Sequence, residues 1–285
     1  MGKTTVEITV VGKDHEGVVA SFTNFIFQKG GNIEKINQNV IKGLFGMYLE
    51  ASFTQKINIK KFDHEVRLLA RNLKMEVNTH HEAAIRKRVA VLVTKEPHCL
   101  EALLDARKKN QLKGEISVII GTENALFQLA RKSKIPFVHV NDKDQSKAEE
   151  KILAIIKRYN IDLIVLARYI RILSPNFVWR YPNRIINIHP SILPAFPGAF
   201  AYVQAYERGA KIVGCTAHYV TEDLDQGPII FQDSFKIDSN ETVESLKKKG
   251  QRIEAKTLLE AVKMHLEGRL EVYWGKVHIK PKRAR

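Results

Sequence analysis

The sequence predicts an α/β protein in which a small ferredoxin-like βαββαβ domain, residues 1–84, precedes a Rossmann-like doubly wound domain, residues 86–285. Three observations support this prediction. The chain of 285 residues is too long for one ordinary domain. Its first part shows the periodicities of strand, helix, two strands, helix and strand, in that order. In the remainder, short apolar runs alternate with amphipathic stretches, which is typical of parallel strands joined by helices.

The N-terminal elements follow from the spacing of the apolar residues. The first strand alternates from Val6 onward and stops at a polar turn bounded by Gly12 and Gly17. The helix after this turn ends at Gly30, where left-handed backbone costs little. The predicted strands are 4–11, 33–41, 46–54 and 75–80, and the predicted helices are 18–29 and 60–73.

The C-terminal elements begin with a continuous apolar run of the kind that is buried on both faces of a parallel sheet. The predicted strands are 89–94, 116–121, 136–140, 161–167, 184–189, 214–220 and 229–237, and the predicted helices are 99–109, 123–132, 145–159 and 241–267. The last two strands are expected to be antiparallel. Residues 270–285 are expected to form a short strand and a basic tail.

Composition and charge limit the classes of partner. With 44% apolar and 27% charged residues the chain is an ordinary globular protein. Its net charge of +15 is compatible with nucleic acid, but the basic residues are scattered and their short runs lack interleaved aromatics. Nucleic acid is therefore not the expected partner. A dispersed positive field also attracts small polyanions.

The sequence also indicates the compartment. No stretch approaches the roughly 20 apolar residues that cross a bilayer, and the first residues lack the apolar core of a signal peptide. A cytoplasmic protein without a membrane partner is predicted. Cys99 and Cys215 have no neighbouring cysteine or histidine set of zinc-site spacing, so reduced thiols and no metal are expected.

A polar set lies at the carboxyl end of the predicted strand 184–189, where open α/β sheets bind their ligands. Asn187 and His189 alternate with isoleucines, so both point to one face. A later acidic loop supplies Asp225. An amide donor, an imidazolium and a carboxylate suit chemistry on a formyl group: the first two stabilise the developing oxyanion, and the third deprotonates or positions the nucleophile. Each motif taken alone is usually structural.

Together the two motifs resemble the formyltransferase-fold family, which uses 10-formyltetrahydrofolate. The matching stretches are Asn-Ile-His-Pro-Ser-Ile-Leu-Pro from residue 187 and Asp-Gln-Gly-Pro from residue 225. The resemblance implies that Asn187, His189 and Asp225, rather than the neighbouring Asp223, are catalytic. It implies that the folate is a substrate, with no cofactor. It also implies a set of folate-binding residues, namely Ile170, Arg171, Leu173, Gly198, Val220 and Thr221.

The N-terminal domain resembles an ACT domain, the small module that often binds amino acids at a subunit interface. The resemblance rests on Asp14, Gly17, the helix that follows, and Asn32 within Gly-Asn-Ile. It implies a homo-oligomer and an amino-acid effector at these residues, because glycines at a strand-to-helix turn expose N–H groups that hold a carboxylate. Plain oligomerisation, with glycines that only serve the turn, is the equal alternative.

The acceptor of the formyl group remains open, because the family includes enzymes that pass it to glycinamide ribonucleotide, to methionyl-tRNA or to water. An ACT-like domain before this fold resembles the formyltetrahydrofolate deformylases over nearly the whole chain, which implies hydrolysis in support of purine synthesis. The glycinamide ribonucleotide enzymes hold the substrate phosphate with a glycine-rich loop, where this chain has Glu96 and Pro97. In contrast, Pro190 and Pro197 resemble the transferases.

Two alternatives therefore stay open: formyl transfer to an amine such as glycinamide ribonucleotide, and a non-catalytic folate or amino-acid sensor. The tRNA formyltransferases are a weaker match, because their additional basic domain follows the catalytic one. His218 is expected to support the catalytic residues or to lie in the core. Cys99 is expected to pack the first helix of the larger domain.

Overall fold

The computed structural model describes residues 3–81, 86–195, 201–238 and 240–281. The chain divides into two compact units, one of Met1–Ile85 with Ser174–Pro182 and the other of Arg86–Leu173 with Asn183–Arg285. The predicted α/β fold class, with a ferredoxin-like sheet and a Rossmann-like sheet, is confirmed.

Thirteen strands and eight helices are present within the described residues. In chain order they are β1 Thr4–Lys13, α1 Val18–Gln28, β2 Gly31–Ile41, β3 Leu44–Phe53, α2 Ile59–Asn72, β4 Glu76–His81, β5 Lys87–Val93, α3 His98–Lys108, β6 Gly114–Gly121, α4 Phe127–Lys132, β7 Phe137–His139, α5 Gln145–Arg158, β8 Leu163–Leu166, α6 Pro175–Val178, β9 Ile185–His189, α7 Ala201–Glu207, β10 Ile212–Tyr219, β11 Ile229–Lys236, α8 Val243–Leu266, β12 Leu270–Tyr273 and β13 Lys276–Ile279.

The N-terminal unit is a four-stranded antiparallel sheet in the order β2-β3-β1-β4. Its core joins the apolar stripes of the two helices to alternate residues of the central strands. Phe22 of α1 and Val66 of α2 are fully buried in this core, together with Ile8 and Leu49. The alternation that predicts each strand and the stripe that predicts each helix therefore describe the faces that meet in this core.

The short segment Ser174–Pro182 belongs to this N-terminal unit, although it lies far along the chain. The ring of Trp179 rests on Gly46 of β3, where an added Cβ would lie 2.2 Å from the indole Cε3 atom. Arg180 pairs with Glu76 of β4 through nitrogen–oxygen distances of 2.5 and 3.2 Å. The sequence-based boundaries place these residues in the larger domain. Their grouping with the N-terminal unit could not be predicted, because α6 has only four residues and its packing partners are distant in sequence.

The C-terminal unit contains a seven-stranded sheet in the order β11-β10-β9-β8-β5-β6-β7. The strands from β9 to β7 are parallel, whereas β10 and β11 are antiparallel. The carboxyl ends of β5, β8 and β9 therefore meet at one edge of the sheet. Glu96, Arg168 and His189 lie at or just beyond these three strand ends.

Three elements of this unit differ from the prediction. The helix predicted at 123–132 begins only at Phe127, because the preceding residues form turns. Helix α7 was not predicted from its short pattern. The C-terminal stretch is a hairpin of β12 and β13, not a single strand, and its turn uses left-handed backbone at Trp274 and Gly275. Across the described residues, every helix is too short or too polar to span a bilayer.

Candidate active site

The register of β9 and β10 assembles the first part of the site. In this antiparallel pair Asn187 lies directly opposite His218, and His189 lies opposite Thr216. Their side chains therefore share one face of the sheet, while Ile186 is fully buried on the other. The Asn187 Nδ2 atom lies 3.3 Å from His218 Nε2.

The loop that follows β10 brings the carboxylate of Asp225 to the two histidines. Asp225 Oδ2 lies 3.2 Å from His189 Nδ1, and Oδ1 lies 3.8 Å from His218 Nε2. Asp225 has left-handed backbone, with φ of 57°. Two residues on, Gly227 passes so close to β10 that an added Cβ would lie 1.8 Å from the Tyr219 carbonyl oxygen. Only glycine allows the loop to turn back here.

The surroundings of His218 fix its tautomer and disfavour its charged form. Its Nδ1 atom lies 2.8 Å from the Tyr219 carbonyl oxygen, which can only accept, so Nδ1 carries the hydrogen. Burial lowers the pKa of His218, although the Tyr219 carbonyl and the nearby Asp225 oppose the shift. In the neutral ring, Nε2 accepts a hydrogen bond from the Asn187 amide. His218 therefore fixes which way the Asn187 amide points.

We call Asn187, His189, His218 and Asp225 the Asp225 cluster. Its ionisable groups are almost fully enclosed: the side chains of His189 and Asp225 are each 6% exposed, and that of His218 is 2% exposed. Hydrogen bonds and charges act strongly in such an environment, because little water screens them. The cluster can donate hydrogen bonds to an oxyanion and accept a proton from a nucleophile.

The structure separates Asp225 from its neighbour Asp223. Asp223 is exposed, whereas the Asp225 side chain is buried beside His189. The predicted catalytic set Asn187, His189 and Asp225 is thus brought together through His218. His218 was expected only to support the catalytic residues or to lie in the core. Alternation within β10 places it on one face with Thr216, but only the register with β9 sets it opposite Asn187.

Thr216 is a further residue of the site that no sequence motif indicates. Its buried hydroxyl donates to the Ser191 carbonyl at 2.7 Å and accepts from the Leu193 N–H at 3.0 Å. Gln232 of β11 donates to the same hydroxyl at 2.9 Å. These contacts hold the chain immediately after His189 in place.

The predicted folate-binding residues flank this site in differing environments. Leu173 is buried, Val220 and Thr221 are half-buried, and Ile170 is 57% exposed. The Arg171 side chain is also exposed and pairs with Asp142. Gly198 and Pro197 lie outside the described residues. Ile170 and Ile172 are both exposed, so the segment just beyond β8 presents apolar surface.

A second polar cluster lies at the carboxyl ends of β5 and β8. It consists of Glu96, His98, Arg168, Tyr202 and Glu254, and we call it the Glu254 cluster. Tyr202 donates to Glu254 Oε1 at 2.8 Å, and His98 Nε2 lies 3.1 Å from Oε2. His98, Cys99 and Glu254 offer metal-ligand atoms within 4.8 Å of one another, but the Glu254 carboxylate is already engaged by these partners and by Arg168.

The cysteines occupy buried positions. Both are free thiols, and burial raises the pKa of Cys99 well above its ordinary value and that of Cys215 to about 12. The Cys99 thiolate is therefore strongly disfavoured, which fits packing of α3 better than nucleophilic chemistry.

The predicted effector residues do not come together within one chain. Asp14 and Gly17 lie before α1, where the Asp14 N–H donates to the Gly43 carbonyl. Asn32 follows α1 and pairs with Ser52, at the opposite end of the sheet. The eleven residues of α1 separate the two places by about 16 Å of helix. Within one chain the three predicted effector residues therefore lie at two separate places, and the effector site stays a prediction.

Comparison with protein families matches both parts of the chain. A family model described as ACT domain matches residues 4–80. A family model described as formyl transferase matches residues 87–262, which is more than half of the chain.

Individual relatives agree. The formyltetrahydrofolate deformylase of Bacillus subtilis is 41% identical over 269 residues, which covers 92% of this chain and 89% of the relative. The crystal structure of a formyltetrahydrofolate deformylase from Pseudomonas syringae superposes with a TM-score of 0.68 at 32% identity, over 98% of this chain and 95% of that one.

A transferase structure matches less of the chain. Glycinamide ribonucleotide transformylase 1 from Symbiobacterium toebii, with a TM-score of 0.67 and 32% identity, covers 72% of this chain and 98% of its own. The deformylases match both domains over nearly the full length, as the resemblance predicted. The chain therefore belongs to the formyltetrahydrofolate deformylase family.

Proposed function

We propose that this protein hydrolyses 10-formyltetrahydrofolate to formate and tetrahydrofolate. The observation that carries the proposal is the convergence of Asn187, His189 and Asp225 at one sheet edge, in a chain that matches deformylases over both domains. The formate would supply one-carbon units to purine synthesis. No cofactor is part of the proposal, because the folate itself is the substrate.

The three side chains divide the chemistry of amide hydrolysis among them. Asp225 accepts a proton from water as the oxygen attacks the formyl carbon. The carbonyl oxygen gains negative charge, which the Asn187 amide and a protonated His189 stabilise. The bond between the formyl carbon and the folate nitrogen then breaks, and the nitrogen takes up the proton that Asp225 accepted from water. The Asp225 carboxylate lies 3.2 Å from His189 Nδ1, so both groups can act on the same formyl group.

We propose that the folate binds between two segments. Ile170, Arg171 and Leu173 contact it on one side, and the loop at Val220 and Thr221 contacts it on the other. Apolar Ile170 provides a surface for the ring, and backbone groups of the same segment provide hydrogen bonds. Gly198 completes the proposed binding residues. Scattered positive charge, a net +15, favours the approach of the polyanionic substrate.

Water is favoured as the acceptor over a phosphorylated amine by the chain beyond β5. Glu96 places a carboxylate there, which repels phosphate, and its oxygens already contact Arg168 and Lys247. Pro97 precedes α3 and has no N–H to donate. Transfer to glycinamide ribonucleotide is the second candidate. It is supported by Pro190, which resembles the transferases, and by the similar fold of a transformylase.

The proposal also includes an amino-acid effector at the ACT domain, a homo-oligomer and a cytoplasmic location. The ACT family match supports the first two, because such domains often bind effectors between subunits. Residues Asp14 and Gly17 remain the proposed effector contact, and Asn32 would join them only from a second copy. Two buried free thiols support a reducing compartment.

The test measures formate after purified protein is mixed with 10-formyltetrahydrofolate without any amine. Steady release of formate, absent from an Asp225→Asn control, is the expected result. Formyl transfer that appears only after glycinamide ribonucleotide is added would contradict hydrolysis. Tight binding of folate analogues with no product under either condition would indicate a sensor. A screen of amino acids against the rate, with the oligomeric state measured alongside, tests the effector.

A further inference from the structure

Arg168 is the residue at which strand β8 passes into the proposed folate-binding segment. It follows the last buried residues of the strand and has left-handed backbone, with φ of 60°. Such backbone is uncommon for a residue other than glycine, asparagine or aspartate, so contacts elsewhere must hold it. The side chain supplies them: Arg168 Nε lies 3.1 Å from Glu96 Oε2 and 3.5 Å from Glu254 Oε2.

The two carboxylates that hold Arg168 are themselves anchored. Glu254 is 1% exposed, accepts from Tyr202, and contacts His98. Burial raises its pKa, but the hydrogen bond from His98 and the charge of Arg168 outweigh burial, so the pKa lies below its ordinary value. Glu96 is also largely buried and contacts Lys247 as well. A planar guanidinium between two fixed carboxylates has one preferred position.

The residues that follow Arg168 are held at alternate positions by two more side chains. The Ile170 N–H donates to the Thr94 hydroxyl at 3.2 Å. The Gln145 side-chain amide donates to the Ile172 carbonyl at 2.9 Å. These contacts come from different elements, yet each fixes the backbone of the same short segment. Meanwhile Ile170 and Ile172 expose 57% and 63% of their surface.

We propose that Arg168 is a positioning residue for the folate substrate. Its paired guanidinium holds the segment 169–173 in the shape that receives the heterocycle, so that substrate binding does not have to order it. The inference rests on the proposed function, because that proposal places the folate against Ile170, Arg171 and Leu173. Loss of the ion pairs would then weaken substrate binding far more than the chemical step.

The test compares variants in the formate-release assay. Arg168→Ala is expected to raise KM about tenfold or more, whereas kcat changes by less than about threefold. Arg168→Lys keeps the charge but not the planar fork, so an intermediate KM is expected. Arg269→Ala is the matched control: it removes another partly buried, ion-paired arginine, whose partners are Glu267 and the Lys280 carbonyl, and KM should be unchanged.

Arg168→Gly separates the ion pairs from the backbone. Glycine adopts left-handed backbone freely, so a wild-type KM in this variant would show that only the backbone angle matters and would overturn the proposal. The expected KM is at least as high as that of Arg168→Ala. If Arg168→Ala does not fold, Glu96→Gln removes one of the two anionic partners, and a smaller rise in KM is expected.

The failures are distinguishable. If the wild-type protein releases formate but KM is unchanged in both Arg168→Ala and Glu96→Gln, the positioning proposal fails and the function stands. A fall in kcat at constant KM would also overturn it. If the wild-type protein releases no formate, the proposed function fails. The affinity of a folate analogue, measured by calorimetry in wild type and Arg168→Ala, then decides whether the segment is positioned.

Discussion

Two clusters of the C-terminal unit combine histidine with a buried carboxylate, yet the partners of the carboxylate differ. Glu254 contacts His98, Tyr202 and the guanidinium of Arg168. Asp225 lies between the imidazoles of His189 and His218. Glu254 comes from the middle of the 24-residue helix α8, whereas Asp225 comes from a loop with left-handed backbone.

The different partners indicate different roles for the two buried carboxylates: Glu254 stabilises the structure, whereas Asp225 takes part in the proposed reaction. An arginine keeps its proton at any relevant pH, so the ion pairs of Arg168 with Glu96 and Glu254 keep their charges and serve to position the chain. The Asp225 carboxylate instead contacts two imidazoles, a type of side chain that can give and take a proton in a reaction. The residue types beside a carboxylate therefore indicate its use better than burial does, because both carboxylates are enclosed.

The largest expected effect is on turnover in Asp225→Asn. The amide has the same shape but cannot take a proton from water, so kcat should fall on the order of 10²–10⁴-fold. Folding should change little, as judged by circular dichroism and urea unfolding. Asp223→Asn, in the same loop but exposed, is the matched control and should stay active. Turnover that persists in Asp225→Asn would remove that carboxylate from the reaction.

The second prediction concerns stability in Glu254→Gln. The amide cannot accept from Tyr202, His98 and Arg168 together, which leaves buried donors unpaired. The free energy of unfolding should fall by about 3–5 kcal/mol, measured by urea titration, because breaking a buried ion pair is costly. The kcat should fall far less than in Asp225→Asn. If Glu254→Gln leaves stability unchanged but abolishes kcat, Glu254 has a role in the reaction, and the contrast between the two clusters is wrong.

The smallest effect is a pH dependence through His218. Its folded pKa is lowered by burial, so the folded state binds its proton less readily than the unfolded state, whose pKa is about 6.5. The stabilising contribution is present above that value and is lost as pH falls towards the folded pKa. His218→Gln removes this titration. The stability of wild type relative to His218→Gln should therefore decline between about pH 8 and pH 5. A constant difference would mean that burial does not lower the pKa of His218 in the folded protein.

The periodicity of apolar residues was sufficient to predict most of the fold and part of the candidate site. Alternation with isoleucines placed Asn187 and His189 on one face, and the structure has them there. Alternation could not choose between Asp223 and Asp225. The two residues are two positions apart, so in extended backbone both would point to the same face. Only the motif pointed to Asp225, which the loop turns inward at Gly227.

The contacts that were missed join residues far apart in sequence. His218 meets Asn187 through the register of two antiparallel strands, which no local pattern specifies. Glu96 and Arg168 are 72 residues apart, and His98 and Glu254 are 156 apart. Helix α6 has too few residues to show a period, and Trp179 beside it is held by a strand from the first part of the chain.

The packing of Trp179 against Gly46 limits where the chain can be truncated. A fragment that starts at residue 86 would retain the indole and Arg180 but lose the strands on which both rest. It would present a bare aromatic surface to water, with a tendency to aggregate. A fragment without the first module therefore needs polar residues in place of the aromatic surface at 174–182.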